Sequence, residues 1–104
     1  MRHSAASVFA ALGDETRLRL VSRLSGRGPM SITQLSTGFP ITRQAITKHL
    51  RVMESAGLVC STQQGREIVW ELEQKQLADA RRHLDAISAQ WDQTLGRLKS
   101  FVER

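Results

Sequence analysis

Apolar positions keep a helical period over the first half of the chain, alternate between about residues 59 and 72, and return to the helical period from about residue 74. Residues 5–12, AASVFAAL, read as a short apolar helix ending at Gly13. Asp14 is a good N-cap for a second helix from 15 to about 25, with Leu18, Val21 (beside Leu20) and Leu24 at helical spacing and Gly26 and Gly28 closing it. SITQL, from Ser31, has the capping-box form, with Gln34 three residues after the cap, and predicts a short third helix to about residue 36, stopped by TGFP. Thr42 caps a fourth helix. Ile41 and Ile46 can staple its entry, Ile46, Leu50 and Met53 form its buried stripe, Ala45 and Ala56 edge that stripe, and Gly57 ends it.

The period then changes. Residues 59–63 and 67–72 read as two strands around QGR, a hairpin with Ile68, Trp70 and Leu72 on one apolar face and Val69 and Glu71 between them. Beyond it, Leu77, Leu84, Ile87, Trp91, Leu95, Leu98 and Val102 recur at intervals of seven, three, four, four, three and four, with no proline and only Gly96 among the residues from 74 to 102. That is an amphipathic helix roughly 40 Å long at about 1.5 Å per residue. Such a stripe can pack on its own chain or on a second copy. The second reading is preferred, because the last two turns outrun any core a chain of 104 residues can build.

Four helices, a hairpin and a long helix make a mostly α fold with a small β-hairpin, a winged helix-turn-helix, expected as one domain over residues 1–104. The buried stripe docks the fourth helix and leaves the N-terminal polar residues outward: Thr42, Arg43, Gln44, Thr47 and Lys48, with Arg51 a turn further on. Arg43, Thr47 and Arg51 share one face at i, i+4 and i+8. Arginine can bind guanine O6 and N7 together, and glutamine can bind adenine N6 and N7. At the hairpin tip Gln63, Gln64 and Arg66 surround Gly65, a cationic turn suited to a phosphate backbone or a minor groove.

Charge sharpens this picture. The net charge is +5, and all of it lies in residues 1–70, which hold nine Lys and Arg against four acids; residues 71–104 hold six of each. A localised positive excess points to a polyanion such as double-stranded DNA. With 40% apolar residues the chain should fold, yet no run approaches the roughly 18 apolar residues of a membrane span. The N-terminus has only a brief apolar patch and no clear cleavage site, and reads as structure rather than a secretion signal. A single cysteine, Cys60, suits a reducing cytoplasm. Enzyme chemistry finds no support: there is no tyrosine, Cys60 sits in a predicted strand without an evident base, His3, His49 and His83 are far apart, and no phosphate-cradling loop occurs. The rival is a winged-helix module that binds protein, which would not need Arg43, Gln44, Thr47 and Lys48 together.

Three stretches resemble one known family. LGDETRLRLVSRL (12–24) resembles the second-helix signature of the ArsR/SmtB transcriptional regulators, ITRQAITKHLRVMESAGLV (41–59) their recognition helix, including KHL, and GREIVWEL (65–72) their wing. The resemblance covers roughly residues 7–102. It implies a homodimeric repressor joined through the first and last helices, with Phe9, Leu84, Ile87, Trp91, Leu95, Leu98 and Val102 at the interface. It maps DNA reading onto Thr42, Arg43, Gln44, Thr47 and Lys48, with His49 structural or phosphate-contacting; the helix face and the hairpin tip read above add Arg51, Gln64 and Arg66. A symmetric dimer would read an inverted repeat with half-sites about 34–36 Å apart.

The resemblance stops at the metal sites of the family. The third helix, SITQLST, has neither Cys nor His; on the last helix Asp79 and His83 are one turn apart, but no second histidine follows. A d-block site normally needs three or four ligands, so no metal or other cofactor is expected, and a metal-responsive repressor is the lesser alternative. The long last helix, with Trp91, Phe9 and Phe101, resembles a metal-independent branch of the family. An inducer, if the protein has one, is not visible: an apolar ligand between the first and last helices is one option, regulation by abundance alone another.

Overall fold

The computed structural model describes residues 4–103; His3 falls outside them. The elements run α1 (Ala5–Leu12), α2 (Glu15–Arg27), β1 (Met30–Ser31), α3 (Ile32–Ser36), α4 (Arg43–Ser55), β2 (Val59–Gln64), β3 (Glu67–Leu72) and α5 (Gln74–Val102). The architecture is a winged helix-turn-helix: a helical body, a small antiparallel sheet and a long final helix.

Local chemistry explains the helix starts. An N-cap side chain satisfies a backbone N–H that has no carbonyl a turn before it. Asp14 accepts from the Arg17 N–H at 3.0 Å, and Thr42 accepts from the Ala45 N–H at 3.1 Å. At α3 both halves of the capping box are formed: Ser31 Oγ accepts from the Gln34 N–H and Gln34 Oε1 from the Ser31 N–H. The stop of α2 differs from expectation. The helix runs through Gly26 to Arg27 and ends at Gly28, which has φ +79° and donates its N–H to the Leu24 carbonyl. A glycine inside a last turn costs only about 1 kcal/mol, so Gly26 does not break the helix, whereas the reversal at residue 28 needs the left-handed backbone.

The sheet also differs. It has three strands in the order β1-β3-β2, with Met30 opposite Trp70 and Ser31 opposite Val69 on one side, and Val59 to Gln64 opposite Leu72 to Glu67 on the other. The hairpin is therefore not a free edge pair, since β3 is the central strand. Its apolar face is buried only at the root. Trp70 is buried and Leu72 half-buried, but Ile68 is 42% exposed, because β1 covers β3 only at Trp70 and Val69.

The core gathers Val8 from α1, Leu20 and Leu24 from α2, Leu35 from α3, Ile46, Leu50 and Met53 from α4, Leu58 and Val59 at the start of the wing, and Trp70. Leu18, expected on the buried face of α2, is half exposed; Leu20 and Leu24, one turn apart, do the packing instead. Ile41 before the Thr42 cap is half-buried against the same cluster. Only the start of α5 belongs to this body, through Leu77 and buried Ala80. Beyond it the helix leaves the core, and the molecule measures 67 × 32 × 20 Å.

Candidate nucleic-acid interface

Helix α4 has two opposed faces. Ile46, Leu50 and Met53 are fully buried, which fixes the helix about its own axis. Thr42, Arg43, Gln44 and Lys48 are exposed and Thr47 is half-buried. Among the described residues the side chains of Arg43, Gln44 and Lys48 make no hydrogen bond or ion pair with the protein. The threonines are partly engaged: Thr42 caps the helix, and Thr47 Oγ1 donates to the Arg43 carbonyl at 2.9 Å, which leaves its lone pairs free to accept. Three long polar side chains with no partner among the described residues thus stand outward on a helix that cannot roll.

His49 and Arg51 are held differently. His49 is half-buried, its Nδ1 3.2 Å from an Arg17 guanidinium nitrogen and 3.8 Å from Asp14 Oδ2, and Arg17 Nε donates to the Ala11 carbonyl. The imidazole thus sits in the corner where α1 meets α2. The Arg17 backbone N–H, and then the Arg17 and His49 charges, hold the Asp14 carboxyl below its ordinary pKa. Arg51 NH1 donates to Glu54 Oε1 at 2.9 Å, and its guanidinium lies 5.1 Å from the centroid of the Trp70 ring.

The wing tip is a two-residue turn. Gln64 pairs with Glu67, and Gly65 takes φ +62° while Arg66 keeps a negative φ, the pattern of a II′ hairpin turn. Gln63 Nε2 donates to the Gly65 carbonyl at 2.9 Å and braces the tip. Gln64 and Arg66 project exposed, without a side-chain partner among the described residues. The structure therefore presents the expected α4 residues on one surface and the expected wing residues at one tip.

Some residues that shape this surface carry no sequence signal. Arg23 NH1 donates to the Leu35 and Thr37 carbonyls at 2.7 and 2.6 Å, and the guanidinium groups of Arg19 and Arg23 lie 4.8 and 4.6 Å from the Phe39 ring centroid. They pin the turn that delivers the chain to Thr42. Their partners lie 12 or more residues away, where no spacing rule reaches.

Among the described residues no group of three or more His, Cys, Asp and Glu could hold an ion. Helix α3 carries no ligand residue, and Asp79, one turn from His83, is bonded to Arg82. Cys60 lies between acids: its interaction with Glu73, burial and the nearby Glu71, whose Oε1 lies 3.9 Å from Sγ, push its thiol up to about 11. No helix is long and apolar enough to cross a membrane among the described residues.

This fold with this surface defines a winged helix-turn-helix protein of the nucleic-acid-reading type. A helix-turn-helix domain family matches residues 12–61. The HTH-type transcriptional regulator Rv2034 of Mycobacterium tuberculosis is 39% identical over 77 residues, 74% of this chain and 71% of its own length. The arsenical resistance operon repressor of Escherichia coli is 32% identical over 65 residues, 62% of this chain and 56% of its own. A solved structure, an ArsR-like transcriptional regulator from Rhodococcus sp. RHA1, aligns with a TM-score of 0.75 at 43% identity and covers 93% of this chain and 91% of that one. The chain belongs to the ArsR family of winged helix-turn-helix transcriptional regulators.

Proposed function

We propose that the protein is a homodimeric repressor that reads an inverted-repeat operator. Arg43 and Gln44 read base edges in the major groove; Thr42, Thr47 and Lys48 hold phosphates or neighbouring bases. Gln64 and Arg66 hold the wing against the backbone beside the groove. The observation that carries this reading is the contrast across α4: three fully buried residues on one side, and Arg43, Gln44 and Lys48 without internal partners on the other. Membership of a regulator family makes DNA the natural polyanion, and the positive charge of residues 1–70 suits it.

The exposed face of α5 supports the dimer. Leu84, Ile87, Trp91, Leu95, Leu98 and Val102 form one exposed stripe beyond the core. Phe9, assigned to the same interface, is half-buried on its own core and can contribute only its outer edge.

Fluorescence anisotropy on the DNA upstream of the gene and on a scrambled duplex, over a salt series, tests the reading. Tight binding to the first, falling steeply with salt, is expected, since each neutralised phosphate adds about −0.9 to the slope of log K against log salt. Absence of binding even at low salt would mean that the α4 face serves a protein partner.

A further inference from the structure

Glu54, near the end of α4, uses both carboxylate oxygens, and they tie α4 to the wing. Oε1 accepts from Arg51 NH1 at 2.9 Å; Oε2 accepts from the Ser61 hydroxyl of β2 at 3.3 Å. Ser61 is the register partner of Trp70 on β3, and it is over Trp70 that the Arg51 guanidinium lies. Three elements, α4, β2 and β3, thus meet around one half-buried carboxylate, at the root of the wing where burial ends. Outward of this point Thr62, Gln63, Gln64, Arg66, Glu67 and Ile68 are exposed.

From this geometry we infer that Arg51 and Glu54 are positioning residues that set the angle of the wing on the recognition helix, and that Arg51 does not read bases. The inference rests on the reading of α4 and the wing as paired DNA contacts. The i, i+4, i+8 spacing puts Arg51 on the face of Arg43, but two turns on, and there its cation is already committed to Glu54 and the Trp70 ring. Leverage gives the root its importance. The tip at Gly65 is four residues from Ser61, about 13 Å at 3.3 Å per residue, so a tilt of about 10° at the root moves Arg66 by about 2 Å. That displacement is enough to lose a hydrogen bond to a phosphate. As an exposed ion pair the Arg51–Glu54 contact adds little stability, so its value lies in geometry.

The test is a double-mutant cycle on the full chain, read as the salt dependence of operator binding by anisotropy. In the wild-type background Arg66→Ala should flatten the slope of log K against log salt by about one per protomer. In the Glu54→Ala background the same substitution should leave the slope unchanged, because the wing no longer meets its phosphate. Ser61→Ala, which removes only the β2 tether, should weaken the Arg66 effect in the same direction and covers the case of a poorly folded Glu54→Ala. Arg51→Ala should leave the preference among operator variants intact.

An equal Arg66→Ala effect in both backgrounds would overturn the inference. So would no Arg66→Ala effect in either, since there would be no wing contact to set. So would a lost preference at one base pair in Arg51→Ala, which would make Arg51 a reader. In each of these cases wild-type binding stays intact and only the lock falls; a wild-type protein without DNA binding would remove the repressor reading and the lock together.

Discussion

Arg43 and Arg51 are the same residue type on the same helix face, and the protein treats them oppositely. Arg43 has no internal partner among the described residues, while Arg51 is held by Glu54 and Trp70. A bidentate contact to one guanine discriminates by about 1–3 kcal/mol. Arg43→Ala should therefore relax preference at one base pair of each half-site by about that amount and leave binding to random DNA nearly unchanged. Competition binding against single-base operator variants checks this; equal losses on specific and random DNA would remove Arg43 from the base readers. The residue types at the surface were legible in the sequence, since Thr42, Arg43, Gln44 and Lys48 follow directly from which side of α4 is apolar. Which of its polar residues are free was not. The fates of His49 and Arg51 depend on Arg17, Asp14, Trp70 and Ser61, contacts that exist only once the chain has folded.

At the scale of elements, helix starts were the most readable feature because a cap is local chemistry, three residues wide. Asp14, Ser31 and Thr42 each cap the helix expected of them. Strand β1 was unreadable for the converse reason. Two residues hold no period, and Ser31 serves at once as strand and as cap of α3. The end of α2 lay between two glycines, and only the need for a positive φ chooses Gly28 over Gly26. The Thr42 cap matters beyond stability, since it fixes the first turn of α4, where the proposed base-reading residues begin. Thr42→Ala should lower the unfolding free energy by about 1 kcal/mol, measured by urea denaturation. It should also reduce operator affinity, since the hydroxyl that holds the Ala45 N–H is lost. Thr42→Ser keeps that hydroxyl and should restore both quantities; a Thr42→Ala protein of wild-type stability would show that the cap is idle.

At the scale of the whole molecule, the shape is itself an argument about partners. A compact chain of this length has a radius of gyration of about 13 Å, yet this one has 17.8 Å. The excess comes from the 29-residue α5, which runs past the core after Ala80 with Leu84, Ile87, Trp91, Leu95 and Leu98 between 47% and 60% exposed and Val102 at 78%. A lone protein rarely leaves so long an apolar stripe in water. In the proposed dimer a second copy using the same stripe would cover both at once, as two-fold symmetry requires, and would set two recognition helices at a fixed separation. Trp91 is the largest side chain in the middle of that stripe, and central aromatic residues commonly contribute 2 kcal/mol or more to an interface. Trp91→Ala should raise the dimer dissociation constant by about thirtyfold or more, seen by sedimentation velocity at low protein concentration. In the proposed dimer each protomer reads one half-site, so the same variant should lose affinity for the full inverted repeat far more than for an isolated half-site. A wild-type sedimentation profile, or equal losses on full and half sites, would mean that the stripe does not join the two copies and that α5 is covered by some other partner.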